Sequence, residues 1–283
     1  MASQKKVSII TGGGSGMGYA VAAELAQRGG WVVNLLDLNA EAGGEAAKRF
    51  GATFHKIDVT DYPSLGVAFK NVYKAHKRLD FVFANAGIAE RGDFYATNNT
   101  GEEPPPAPNT LPIEINVTSV INTSYLAQHY LRQTPDDGLG PRSIVITASC
   151  GGFYSCPAAC IYGASKFAAL GWARNIAGPM YKRDGIRVNA ICPGTVRTNL
   201  LSDDLWEKFP KEYFVPIEKV VEVVMMLLDG DGKQADGADF QKALVGQTVE
   251  ILGTSHYFRT QVEYCDEAMA AVMSAPGVDD LWA

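Results

Sequence analysis

The sequence predicts an α/β protein built on one doubly wound parallel sheet of about seven strands, with helices on both faces. Two observations carry this reading. Short apolar runs rich in β-branched residues alternate with stretches of helical period along the chain, a pattern that makes a parallel sheet with both faces covered. Glycines and polar residues recur where the apolar runs end, at the edge where such sheets bind ligands. With 283 residues, 47% hydrophobic and 20% charged, the chain is long enough to bury a large core.

Residues 7–11 (VSIIT) read as the first buried strand. They enter Gly12-Gly13-Gly14-Ser15-Gly16-Met17-Gly18, and residues 19–27 read as a helix stopped by Gly29-Gly30. A second strand over 31–36 ends at Asp37, followed by a helix over 40–50. Strand 53–57, helix 61–76 and strand 80–83 continue the alternation. A long helix covers 112–133, strand 143–147 precedes Ser149, and a helix over 158–181 carries Tyr162 and Lys166. Strand 187–191 leads to Pro193-Gly194, and a last strand is expected at 248–252. Thr11, Asp37, Asp58, Asn85, Ser149 and Pro193 therefore gather on one sheet edge. Residues 1–256 read as a single domain and 257–283 as a C-terminal extension.

Strand, glycine-rich turn and helix form a phosphate cradle, because glycines admit the pyrophosphate and the helix N-terminus presents unpaired N–H groups. A glycine-rich loop taken alone is also an ordinary turn. Asp37 stands nineteen residues after Gly18, where a carboxylate accepts hydrogen bonds from the adenosine ribose hydroxyls and repels a 2′-phosphate. No Arg or Lys occupies 13–15 or 38–39, so the pattern favours NAD over NADP. A helix cap ahead of Ala40 is a second role open to Asp37. On a helix, Tyr162 and Lys166 share a face at i and i+4. A phenol loses its proton near pH 10 and a neighbouring ammonium lowers that value. The pair, with Ser149 upstream, suits proton transfer between a carbinol and a carbonyl. Tyr-x3-Lys by itself is more often a surface pair, so the weight rests on the rest of the chain.

In order along the chain, these motifs resemble the short-chain dehydrogenase/reductase family over about residues 5–255. Thr11-Gly12-x3-Gly16-x-Gly18 matches its cofactor motif, and Asp58-Val59 the pair that brackets adenine. Asn85-Ala86-Gly87 matches the turn after the fourth strand, although Ala84 stands where many relatives have a second Asn. Pro193-Gly194-Thr195-Val196-Arg197-Thr198 matches the loop that holds the nicotinamide carboxamide. The resemblance implies a Rossmann-type fold with NAD held at Gly12, Ser15, Gly16, Met17 and Gly18, then at Asp37, Asp58 and Val59. Asn85, Ala86 and Gly87 continue the site, and Tyr162, Lys166, Pro193, Gly194, Val196 and Thr198 complete it.

It also implies a catalytic tetrad of Asn116, Ser149, Tyr162 and Lys166. Tyr162, as phenolate, takes the proton of the substrate hydroxyl while Ser149 hydrogen-bonds the same oxygen. Lys166 lowers the Tyr162 pKa and binds the nicotinamide ribose, and Asn116 positions a water that relays protons to solvent. Within the family, residues 37–43, 115–121 and 189–194 resemble the NAD-dependent 15-hydroxyprostaglandin dehydrogenase branch. These are backbone and cofactor stretches, which speak to cofactor and leave the substrate open.

Residues 198–216 hold Trp206, Phe209, Tyr213 and Phe214. Their place after the nicotinamide loop matches the family's substrate lid; the alternative is a small helix packing its aromatics on the body. With Phe153 and Tyr154, the aromatics Trp206, Phe209 and Tyr213 are expected to line a pocket for a bulky, largely apolar secondary alcohol or ketone. The expected activity is NAD-linked alcohol oxidation, with two alternatives: an NADPH-type ketoreductase of a biosynthetic pathway, and a non-redox protein on the same scaffold.

Residues 90–112 are polar and proline-rich and read as a surface excursion. The 257–283 extension either closes over the pocket or docks on a neighbouring subunit. Apolar residues at Ile113, Val117, Val120, Ile121, Leu126 and Tyr130, and at Phe167, Leu170, Trp172 and Ile176, exceed what one sheet face covers, so a homodimer or homotetramer is expected. A net charge of −6 argues against nucleic acid and anionic membranes. No apolar stretch approaches a membrane span and the start lacks a signal-peptide core, so a cytoplasmic protein is expected. Cys156-x3-Cys160 has no second pair and no nearby His; no metal is expected, and reduced thiols are.

Overall fold

The computed structural model describes residues 4–97, 100–140, 142–230 and 244–275. Strands β1 (Lys6–Thr11), β2 (Trp31–Asp37) and β3 (Thr53–Lys56) alternate with helices α1 (Gly16–Arg28), α2 (Ala40–Phe50) and α3 (Tyr62–His76). After β4 (Phe81–Ala84) comes α4 (Leu111–Ile113), which continues through a π-turn, Glu114–Thr118, into α5 (Ser119–Leu131). Then follow β5 (Ser143–Thr147), α6 (Cys160–Asp184), β6 (Arg187–Pro193), α7 (Asp203–Trp206), α8 (Ile217–Asp229), β7 (Thr248–Leu252), β8 (Ser255–Phe258) and α9 (Glu267–Ser274). The sheet order is β3-β2-β1-β4-β5-β6-β7-β8. The order reverses between β1 and β4, which opens a crevice at their carboxyl ends.

Alternation along each strand sends side chains to opposite faces. Ile9 joins the core under α3, α5 and α6 with Phe69, Leu131 and Leu170. Its neighbour Ile10 joins the core under α1 and α8 with Val21, Leu25, Val223 and Leu227. At the opposite end of the sheet from the crevice, Arg78 is buried against Asp80 at 2.6 Å and reaches Asp137 at 2.7 Å. Asp80 Oδ2 also accepts the Val7 amide at 2.7 Å, so one buried ion pair joins the starts of β1 and β4. Removing one member of such a pair strands a buried charge, which makes it a strong registration device.

Several expectations change. The sheet has eight strands rather than about seven, and β8 runs antiparallel to β7. Leu252 pairs with Ser255 across the two-residue turn Gly253-Thr254, so the last strand crosses the 256/257 boundary and the extension starts after Phe258. Helix α8 is an element beyond those expected from the sequence, although its buried Val220, Val223, Val224, Leu227 and Leu228 keep helical spacing. The surplus apolar stripe is smaller than expected, because Val120, Leu126 and Leu170 are buried in the chain's own core. Tyr130 stacks against Phe69 and Tyr73. Tyr125 and Phe167 remain exposed. The described part of the extension does not cover them, since α9 has no buried residue. Residues 91–97 and 100–111 are exposed, as a surface excursion should be. Asn98, Asn99 and residues 276–283 lie outside the described residues.

Candidate active site

The site begins where β1 ends. Gly12 takes a φ of +66°, and a Cβ there would stand 3.0 Å from the Ala86 Cα. At Gly18 a Cβ would stand 2.2 Å from the Gly12 carbonyl oxygen. The missing side chains thus bring α1 and the fourth-strand turn tight against the loop, which leaves a cradle a dinucleotide backbone fits. Gly12, Ser15, Gly16 and Met17 line the resulting cleft. Gly18 does not line it, and serves the packing beneath.

Asp37 lies at the cleft edge. Its Oδ2 accepts the Gly14 amide at 2.9 Å and its Oδ1 the Asn39 amide at 2.9 Å. An ionised carboxylate has about four acceptor positions, so capacity for ribose hydroxyls remains. The cap role considered for Asp37 belongs to Asn39, whose side chain accepts the amides of Glu41 and Ala42. Asp58 and Val59 line the same end of the cleft, joined by Leu38 and Ile57. Those two apolar neighbours escaped sequence reasoning, although their places beside the acidic residues at strand ends were the available signal.

Asn85 joins three strands. Its backbone amide donates to Thr11 Oγ1 at 3.0 Å, and its Nδ2 donates to the Thr11 carbonyl at 3.2 Å. Thr147 Oγ1 donates to Asn85 Oδ1 at 3.1 Å. Thr147 was not among the expected residues, yet its carbonyl accepts the Lys166 Nζ at 3.0 Å. Asn85, Ala86 and Gly87 line the cleft, as do Pro193, Gly194, Val196 and Thr198 from the end of β6.

Ser149, Tyr162 and Lys166 stand together in this cleft, which encloses about 940 Å³. That is the upper end of ordinary small-molecule sites, room for a cofactor and a second molecule. Asn116 sits behind the wall, fully buried in the π-turn. Such turns re-aim side chains inside helices. Asn116 accepts the Ile88 amide and donates to the Ile88 carbonyl, each at 2.9 Å.

Burial sets the electrostatics. It pulls the Lys166 ammonium down to about 8 from the usual lysine value. It pushes the Tyr162 phenol above the usual tyrosine value, while a hydrogen bond with Ser149 pulls the other way. The expected lowering of Tyr162 by Lys166 is therefore corrected. Lys166 Nζ lies 5.7 Å from the Tyr162 ring centroid and points at Thr147, so desolvation dominates both groups. Cys150 and Cys156 also line the cleft, and burial raises both thiols, which keeps them protonated. All five cysteines are free. Among the described residues, no group of three or more His, Cys, Asp or Glu is placed to hold a metal ion. No described helix is long and apolar enough to cross a membrane.

On the far side of the cleft, Trp206 and Phe209 line the wall with Leu200, Leu201 and Leu205. Trp206 is 4% exposed, and its Nε1 donates to the Thr198 carbonyl at 2.9 Å. Three of the expected substrate residues lie outside the lining. Tyr213 is 58% exposed, at the end of a single 3-10 turn that turns it to solvent. The Phe153 ring is clamped between the Arg174 and Arg259 guanidiniums at 5.6 and 5.4 Å. Tyr154 bonds Glu250 and Arg259 through its hydroxyl. Both aromatics are spent on fastening the Ser149 loop to β7 and β8.

Comparison with known proteins agrees with this geometry. The short chain dehydrogenase family model matches residues 6–207. The short-chain dehydrogenase/reductase prx7 of Penicillium rubens is 42% identical over 276 residues, covering 93% of this chain and 97% of that protein. The 5′-hydroxyaverantin dehydrogenase of Dothistroma septosporum is 32% identical, covering 69% of this chain and 68% of that one. Among solved structures, a 3-ketoacyl-(acyl-carrier-protein) reductase from Brucella melitensis, complexed with NADH, superposes with a TM-score of 0.71. It is 21% identical and covers 89% of this chain and 98% of that one, a likeness of fold. The chain belongs to the short-chain dehydrogenase/reductase family, nicotinamide-linked oxidoreductases acting on alcohol and ketone groups.

Proposed function

We propose that the protein is an NAD(H)-dependent oxidoreductase interconverting a bulky, largely apolar secondary alcohol and its ketone. One observation carries the reading: Ser149, Tyr162 and Lys166 share a single cleft with Asp37. The nicotinamide, when bound, supplies the hydride acceptor or donor and a positive charge in its oxidised form. Asp37 and the glycine cradle hold the adenosine end, and the loop Pro193–Thr198 the other. Tyr162 takes the hydroxyl proton in oxidation and returns it in reduction. Ser149 donates to the same oxygen and steadies it as it becomes a carbonyl. Lys166, whose Nζ stands 5.7 Å from the Tyr162 ring centroid, would hold the nicotinamide ribose, and the positive charge that the oxidised nicotinamide would bring favours the phenolate. Asn116 fixes the loop at Ile88 and, as the family resemblance implies, positions a water that relays protons from Lys166 to solvent. Leu200, Leu201, Leu205, Trp206 and Phe209 form an apolar wall that admits a bulky substrate and excludes water. The segment 198–216 acts as its lid. Asp37 points to NAD, and NAD-specific members of the family more often oxidise, which favours the oxidative direction.

Cofactor choice follows from Asp37. The cations lining the cleft among the described residues are Lys166 and Lys208; neither belongs to the adenosine end. NAD should bind more tightly than NADP by at least about tenfold, since a like charge against Asp37 costs several kcal/mol. Fluorescence titration of both cofactors checks this, and Asp37→Ala with Leu38→Arg should narrow or reverse the preference. A wild-type preference for NADP would instead favour the biosynthetic ketoreductase.

A panel of secondary alcohols and ketones, read by the absorbance of reduced nicotinamide, tests the activity itself. Tyr162→Phe should lower turnover by about 10²–10⁴-fold or more while leaving cofactor titration near normal. Oxidation needs the Tyr162 base and reduction its acid, so wild-type oxidation should rise with pH and reduction should fall. Full turnover in Tyr162→Phe would discard the assignment.

Lys166 carries its charge against burial, so it should cost stability. Below pH 8 it is protonated in both folded and unfolded chains, and the cost is fully present. Between about 8 and 10.5 the unfolded chain keeps a proton that the folded chain has lost, so this contribution to stability rises with pH. Lys166→Met should therefore be inactive yet more stable at pH 7, by at most roughly 3 kcal/mol. The gain should shrink by pH 9.5. Urea denaturation at both pH values measures it, and a variant less stable at both would refute the strained lysine.

The working form is proposed to be a homodimer or homotetramer. Exposed Tyr125 and Phe167 stand on α5 and α6 beside partly buried Val117, Ile121, Trp172 and Ile176, and two-fold pairing of that patch would cover it. Light scattering at micromolar concentration should give a dimer or larger mass; a monomer mass would remove the interface.

A further inference from the structure

Helix α6 carries Tyr162 in its first turn, and that turn lacks a local cap. Its N-cap position holds Ala159, which makes no side-chain cap bond. The first four amides of a helix have no partner inside it, and an N-cap side chain normally accepts the amide of the second or third residue. Tyr162 is the third residue of α6. Its amide donates to Glu90 Oε2 at 2.8 Å, a carboxylate 72 positions earlier in the chain. A negative charge at this end is favoured by the helix dipole.

Glu90 is itself tethered. Two residues before it, Ile88 exchanges both backbone groups with the Asn116 side chain. Asn116 Nδ2 donates to Ser165 Oγ at 2.9 Å, and Ser165 Oγ donates to the Tyr162 carbonyl at 2.6 Å. The bonds close a ring that runs from Glu90 through Tyr162, Ser165, Asn116 and Ile88 back to Glu90. The amide and the carbonyl of Tyr162 are thus each held by a side chain. Glu90 and Ile88 also line the cleft, so the ring stands next to the reacting groups.

We propose that Glu90 is a positioning residue for Tyr162, a detached N-cap that locks the first turn of α6, and with it the phenol, against the loop after β4. The inference rests on the reading of Tyr162 as the acid–base group. Without the carboxylate, the Tyr162 amide has no acceptor, the turn frays, and the phenol loses its fixed distance to the substrate oxygen. Misplacement of a catalytic group by about 1 Å costs roughly 10²-fold in rate, and the adenosine end of the cleft does not feel it.

Two variants separate the hydrogen bond from the bulk of the side chain. Glu90→Gln keeps an acceptor oxygen at the same reach, and Glu90→Met keeps the length without one. With the best substrate of the panel, Glu90→Met should lower kcat by roughly 10- to 100-fold and leave KM and the NAD dissociation constant little changed. Glu90→Gln should restore kcat to near wild type. Hydrogen–deuterium exchange, which needs no substrate, should show faster exchange over residues 160–166 in Glu90→Met and not in Glu90→Gln. Tyr162→Phe is assayed alongside: full turnover there would remove the acid–base reading and this inference with it. An inactive Tyr162→Phe beside a Glu90→Met of wild-type kcat would overturn the tether alone. A raised KM at unchanged kcat, or equal loss in Glu90→Gln and Glu90→Met, would also overturn it, because either assigns Glu90 to substrate contact or to charge.

Discussion

The hydrogen bonds of Asn85 are the constraint on which the site depends. They bind the ends of β1 and β5 to the turn after β4, and those ends carry two different kinds of chemistry. The β1 end is the glycine cradle. The β5 end is Thr147, whose carbonyl holds the Lys166 ammonium. A strand slip at either pair would part the cradle from the lysine, and one slip in register moves every side chain to the other face. The buried Arg78–Asp80 pair resists such slips from the opposite end of the sheet, where Asp80 also holds the Val7 amide. The two ends of β1 and β4 are thus registered by unlike interactions, one ionic and one amide-based.

Burial explains why the Tyr162–Lys166 pair needs help. It moves each group toward its neutral form, the phenol up and the ammonium down to about 8. Both shifts express the same desolvation cost, which the large cores on either side of the sheet offset. A buried site also strengthens any charge brought into it. The positive charge of an oxidised nicotinamide, when bound, would therefore act on Tyr162 with little solvent screening. The pair is tuned by what binds beside it, more than by the lysine alone.

What was legible in the sequence follows from how local each signal is. Strand ends, the glycine turn, Asp37, the Asn85 turn and the Tyr162–Lys166 spacing are set by residues within one turn or strand of each other, and the structure brings them to one cleft. The π-turn around Asn116 left no mark in the helical period of 112–133. Aromatics were the weak signal, because a ring serves equally well as a pocket wall or a clamp. Phe153 and Tyr154 were expected in the pocket. Arg174 and Arg259, remote in sequence from Phe153, hold its ring instead. Trp206 and Phe209 did reach the cleft, since they follow a loop already fixed at the end of β6.

The same distinction separates the halves of the cleft. On the side proposed for the cofactor, the lining comes from turns at strand ends, around Gly12, Asp37, Asp58 and Asn85, so its shape is set by the sheet. On the substrate side, the wall is made of side chains from the 88–90 loop, the start of α6 and the 198–209 segment, none of which is a strand. Side-chain bonds fasten these pieces: Asn116 to Ile88 and Glu90 to Tyr162 join the 88–90 loop to α6, and Trp206 to Thr198 folds the 198–209 segment on itself. Change in the apolar residues between those bonds alters the shape offered to a substrate without moving Tyr162. On the proposed reading, a glycine cradle and a tethered tyrosine would leave the wall between them free to set which alcohol is taken.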